Sequence, residues 1–174
     1  MAIIAASDSR KLTPTLEKIW GELSFLNDST EGGFFKLSQV LNKQDSKRAS
    51  HYKVINGQKI EAGFMSQITG IVADNPNKIR GYRTDLLIFE EAGSWPGLKK
   101  AVIQGEALLG VLGNRFGMAV IGGTGGDSGA SLEGLRDIYY NPQAYNVLPL
   151  RHKFTSTGET ALTGYFLPAF CMVM

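Results

Sequence analysis

Cysteine is nearly absent. The single Cys171 excludes an intramolecular disulfide framework and any zinc site built from several cysteines. Two histidines, His51 and His152, are too few for a histidine-rich metal centre. No run approaches the ~18 consecutive apolar residues that a membrane-spanning helix needs. The opening segment, MAIIAASDSRK, lacks the charged leader of a signal peptide and reads as a buried strand. The expected setting is therefore reducing and intracellular, with no membrane partner. Internal repeats and low-complexity tracts are also missing. The formal charge of +2, from 18 basic and 16 acidic side chains, is too small to argue for nucleic acid by itself. Nor does any G-x-x-x-x-G-K-S/T phosphate loop occur in the chain.

What is present suits one packed domain over residues 1–174. Of the 174 residues 43% are apolar and 20% charged, enough for a core and too apolar for a disordered tail. The 21 glycines point to tight turns or close backbone approaches. Ala2 to Ala6 is a short apolar run ended by Ser7, Asp8 and Ser9. Thr13-Pro14 signals a helix start, and Leu16, Ile19, Trp20, Leu23 and Leu26 fall on one helical face that Asn27-Asp28-Ser29 ends. Asn56-Gly57, between HYKVI and QKIEA, is a two-residue hairpin signal. Ser66 to Ala73 reads as a further strand. Leu86 to Phe89 is a dense apolar strand, followed by a helix whose apolar face runs from Leu98 to Leu112 with Gly113 as its cap. Phe116 to Ile121 is a strand that breaks into GGTGGDSG, a short helix follows from Ser131 to Asn141-Pro142, and Tyr145 to Leu150 reads as a last strand. Strands alternating with helices imply right-handed crossovers and an α/β fold, a mainly parallel sheet with flanking helices and an inserted β-hairpin.

Ligands of such sheets bind at the carboxyl ends of the strands. Two ends here carry unusual chemistry. LLIF runs straight into Glu90-Glu91, the layout of a Walker B strand, in which the first acid holds Mg²⁺ through water and the second takes a proton from the water attacking a γ-phosphate. An ordinary exposed pair of acids at a strand end is the other reading. The glycine-rich bend from Gly122 to Gly129 lets backbone N–H groups approach a phosphate or a moving partner. Arg80 and Arg83, just before the acidic strand, are candidate phosphate contacts, or partners for a local carboxylate such as Asp85. Asp127 and Ser128 read as helix caps, and His152 as a surface residue. Lys36, Lys43, Lys47, Arg48, Lys53 and Lys59 against Asp45 and Glu61 make the hairpin region basic, either a solvated face or a contact for a phosphate backbone.

In order along the chain, DNPNKIRGYRTDLLIFEEAGSWP, RFGMAVIGGTGGDSG, LEGL, YYNP and LPLRHKF resemble the ATPase domain of tailed-phage terminase large subunits, the DNA-packaging motor, and particularly those of large gut phages. The likeness covers most of the chain and is most specific from Asn75 to Pro149. It implies a partial P-loop NTPase-like fold, with Glu90 in the metal-binding place, Glu91 as catalytic glutamate, and Gly122, Gly123 and Thr124 in the motif coupling hydrolysis to movement. It further implies Mg²⁺ and ATP, double-stranded DNA, the portal and small terminase subunit, a homo-oligomeric ring, and the host cytoplasm at the procapsid portal. Two departures stand out. The first acid is a glutamate where aspartate is commoner, and both the P-loop and the nuclease domain are missing from these residues. The expectation is a central slice of the motor, weak in ATP binding on its own. The alternative is a non-catalytic module docking on packaging or capsid partners.

Overall fold

A computed structural model of the chain describes residues 1–29, 41–111, 114–123 and 130–165. The central five-stranded sheet has the order β2-β3-β1-β4-β7, from strands β1 (Ala2–Ala6), β2 (Ser46–Ile55), β3 (Gln58–Val72), β4 (Leu86–Phe89) and β7 (Met118–Ile121). β3, β1, β4 and β7 are mutually parallel, and only β2 runs against its neighbour. The fold is α/β with a mixed, mostly parallel sheet flanked by helices. Two short pairs stand apart: β5 (Gly110–Val111) with β6 (Asn114–Arg115), and β8 (Leu150–His152) with β9 (Ala161–Thr163).

Burial on both faces explains why β1 reads as an unbroken apolar run. Ile3 and Ala5 join Leu87 and Phe89 under helix α2 (Leu98–Glu106) and helix α3 (Ala130–Tyr140). Ile4 and Ala6 face Leu12, Leu16 and Trp20 of helix α1 (Ser9–Ser29) on the opposite side. The α2 layer lies close: a Cβ on Gly105 would sit 2.8 Å from Leu87 Cδ2 and 3.0 Å from Phe89 Cζ. β4, α2 and β7 together form one βαβ crossover. Asp137 ties this layer together, 3.2 Å from Lys99 Nζ and 2.5 Å from the Tyr145 hydroxyl. The Tyr145 hydroxyl, with Lys99 beside it, holds the Asp137 carboxyl below its usual range, and the Asp137 carboxylate in turn pushes the Tyr145 phenol up to about 12.

Local signals are met in part. α1 starts at Ser9, four residues before Thr13, because Asp8 caps it: the Arg10 N–H donates to Asp8 Oδ1 at 2.8 Å. Pro14 therefore lies inside the helix. α2 stops at Glu106 rather than running to Leu112; the Ala107 and Leu108 N–H groups turn back to Gln104 and Gly105, and Leu108 and Leu109 are buried in the turn that follows. In place of a strand over 145–150 there is a 3₁₀ turn at Pro142–Tyr145, and the chain becomes extended only at β8. The root of the hairpin is part of the sheet, since the end of β3 pairs with β1 from Ile68 to Val72.

Candidate active site at the carboxyl ends of β1, β4 and β7

The site follows from register. Phe89 pairs with Ala5 on one side and Ile121 on the other, so the residues leaving β1, β4 and β7 emerge together. Glu90 N–H donates to the Ala5 carbonyl at 2.8 Å, and Gly122 N–H to the Phe89 carbonyl at 3.1 Å. The ladder thus continues one residue beyond the strands. At Glu91 the chain leaves the sheet through a left-handed conformation, φ 51° and ψ 43°. The Ser94 N–H and hydroxyl both donate to the Glu91 carbonyl, at 3.0 and 2.8 Å, and close the turn. The Trp95 indole N–H donates to the Glu90 carbonyl at 3.0 Å, while its ring packs edge-on against Phe89 at 5.6 Å between centroids. Both glutamates are half-buried, on a fully buried Ala92-Gly93 footing.

The glycine bend begins against this turn. Ala92 N–H donates to the Gly122 carbonyl at 2.8 Å. A Cβ on Gly123 would lie 2.7 Å from Ala92 N and 2.8 Å from Gly93 N, inside backbone that cannot step aside without moving Glu91. Glycine is needed there for approach. The acid pair and the first two glycines of the bend are therefore one structure. Thr124, Asp127 and Ser128 lie outside the described residues, as does Cys171.

Four polar residues that sequence reasoning left aside also arrive here. The Thr15 hydroxyl is 3.1 Å from Glu90 Oε1 and 3.2 Å from the Lys11 carbonyl, with one proton to give. The Lys11 ammonium hydrogen-bonds the Ser94 hydroxyl and lies 3.5 Å from Ser7 Oγ, tying α1 to the acid turn. Their signal was topological: with β1 beside β4, the polar stretch after Ala6 must land beside Glu90. The N-terminus of α1 is already occupied by an anion, the Asp8 carboxylate; burial raises its pKa, but the hydrogen bonds and charge of Arg10 outweigh that and hold it below the usual range.

No group of three or more His, Cys, Asp or Glu side chains that could hold a metal occurs among the described residues. At the turn the Ser7 and Ser94 oxygens accept from Lys11 and the Thr15 hydroxyl engages Glu90, which leaves the two glutamate carboxylates as hard oxygen ligands. This set fits Mg²⁺, which takes one or two carboxylates and fills its remaining positions with water and phosphate oxygens.

The arginines do not join this site. Arg83 lies three residues before β4 and Glu90 one residue after it, a separation of roughly 20 Å along an extended chain. Arg80 and Arg83 border a shallow depression with Gln104, Ala107 and Leu108, where α2 ends, towards the amino ends of the strands. Asp85 is engaged by the Met1 amino group at 2.5 Å. An apolar hollow of about 600 Å³, bordered by Val102, Met118, Ile121, Ile138 and Tyr145, lies beside β7 and includes neither glutamate. Comparison of the chain with protein-family models, with curated proteins and with solved structures gave no match.

Proposed function

We propose that these residues form the acid-bearing half of an Mg²⁺-dependent ATP hydrolase of the terminase large-subunit kind, which drives double-stranded DNA into a procapsid. One observation supports this reading: the Glu90-Glu91 turn is hydrogen-bonded through Ala92 to Gly122, which puts the acids and the first glycines of the bend side by side at the carboxyl ends of parallel strands. In this reading Glu90 holds the metal side of the nucleotide, with Thr15 orienting its carboxylate. Glu91 accepts the proton of the attacking water, its position fixed by the Ser94 clamp. Magnesium, when bound, neutralises charge developing on the phosphates. The Ala92–Gly122 hydrogen bond carries any displacement of the acid turn into the end of β7 and Gly122-Gly123. Catalysis is positioning and electrostatics, with no covalent step on the protein.

In this reading the lysine and hydroxyl of a phosphate loop come from outside residues 1–174, where the motif does not occur. Arg80 or Arg83 acts between adjacent copies of a ring. The ring works at the portal, with the small subunit, in the host cytoplasm. Among the described residues no helix is long and apolar enough to cross a membrane.

Titration of the chain with a fluorescent ATP analogue tests the reading. The expected dissociation constant is about 100 µM or weaker, Mg²⁺-dependent, with the Mg²⁺ dependence lost in Glu90→Gln. Micromolar binding with turnover by these residues alone, or binding indifferent to Mg²⁺ and to Glu90, would contradict it.

A further inference from the structure

The hairpin beyond the sheet has no core of its own. Every residue from 51 to 60 is exposed, including Tyr52, Val54 (67%), Ile55 and Ile60. Its root, by contrast, is tightly fixed. Ser50 alone faces Gly63, Phe64 and Met65, since Ala49 pairs with Ser66 and His51 with Ala62. This bulge puts Gly63 and Met65 at positive φ and leaves Phe64 90% exposed. Beneath it Arg48 bridges Gln67 and Glu61, at 3.0 and 3.2 Å, and Gln67 reaches Thr69 at 2.8 Å. The Ser50 hydroxyl, 2.5 Å away, together with Arg48 and against the opposing effect of burial, holds the Glu61 carboxyl below its usual range. A free ribbon on a rigid root is an aimed arm.

Charge says what it is aimed at. Residues 46–65 carry Lys47, Arg48, Lys53 and Lys59 against Glu61 alone, a formal +3 that exceeds the +2 of the whole chain. Glu61 is already satisfied by Arg48 and Ser50, and the tip holds two lysines and no acid. Cross-strand pairs put Tyr52 opposite Glu61, Lys53 opposite Ile60, and Val54 opposite Lys59. Alternation therefore places Lys59 on one face, 4.6 Å above the Tyr52 ring, and Lys53 on the other. Cations on both faces of a ribbon suit a partner with negative charge on both sides of it.

We propose that this arm enters the major groove of double-stranded DNA, with Lys53 and Lys59 meeting the phosphates of the two opposite strands. The groove, about 12 Å wide and 8.5 Å deep, admits a two-stranded ribbon. The five residue pairs from His51–Ala62 to Ile55–Gln58 extend about 17 Å, enough to reach its floor. The Asn56-Gly57 tip then lies deepest, and Val54, Ile55 and Ile60 line the ribbon against sugars and base edges along the groove. The proposal rests on the packaging reading for the polymer's biological role; the arm's shape and charge argue for a duplex independently.

Fluorescence anisotropy of a labelled mixed-sequence duplex, titrated with the full chain between 50 and 200 mM KCl, tests this. Lys53→Glu and Lys59→Glu should each lower the salt slope of log K by about one, and the double variant by about two. The double variant should bind at least tenfold more weakly, while Lys18→Glu on α1 leaves affinity and slope unchanged. Unaltered binding by the double variant overturns the arm's role even if DNA remains a partner. Absence of duplex binding at 50 mM KCl overturns it too, and equal affinity for polyglutamate reassigns the arm to an acidic protein. The motor reading fails separately: Mg²⁺-dependent ATP binding, measured on the same double variant, does not involve the arm.

Discussion

Under the proposed hydrolase function, Glu91→Gln is expected to lower ATP turnover by about 10²–10⁴-fold, with nucleotide affinity nearly unchanged. Glutamine keeps the size of the side chain but loses its negative charge and its capacity to take a proton. The backbone should not respond, because the turn is set by main-chain partners: Ser94 on the Glu91 carbonyl and Gly122 on the Ala92 N–H. Glu91 itself is strained, a non-glycine residue at φ 51°. Such a conformation costs about 1 kcal/mol or more, and strain of this kind gathers at working sites. Glu91→Gly should therefore abolish turnover while leaving thermal stability equal or slightly higher. Turnover within threefold of wild type in Glu91→Gln would remove this residue from the chemistry.

Trp95→Ala should destabilise the fold by about 3–5 kcal/mol. The indole is 2% exposed, packs edge-on against Phe89, and donates to the Glu90 carbonyl at 3.0 Å. Its removal opens a cavity at the sheet end and leaves that carbonyl without the indole donor. A domain this size loses roughly 2–4 °C per kcal/mol, so a fall in melting temperature of about 10 °C is expected by thermal unfolding. Trp95→Phe retains most of the packing and loses the N–H, and should cost about 1–2 kcal/mol. A shift under 3 °C in Trp95→Ala would mean that the acid turn does not depend on its tryptophan.

Features written within a few residues were legible in the sequence. Asn56-Gly57 adopts the expected hairpin turn, with φ of 51° and 77°. The Leu86–Phe89 strand and its two acids lie where the apolar run puts them. Asn27-Asp28-Ser29 are still helical in α1, and the residues that follow them lie outside the described ones. Boundaries set by competing local bonds were not legible. Asp8 outbid Thr13 as the cap of α1, and the periodicity of Leu108 and Leu109 serves a buried turn, not a fourth turn of helix. The site divides the same way. Glu90, Glu91, Gly122 and Gly123 were visible as strand-end chemistry, and register unites them. Lys11 and Thr15 escaped notice because only the pairing of β1 with β4 brings them in from far along the chain, and Ser94 because its role depends on the left-handed turn at Glu91. Arg80 and Arg83 looked close to the acids, yet a strand's length separates the two ends of β4.

The most direct measurement is an amide chemical-shift titration of the ¹⁵N-labelled chain with Mg²⁺–ATP, a method that tolerates weak binding. Shifts are expected at Glu90 to Gly93 and at Gly122 and Gly123, vanishing when Mg²⁺ is chelated. Shifts confined to the hollow beside β7 or to the hairpin, with the acid turn silent at millimolar nucleotide, would contradict the assignment of that turn to a triphosphate.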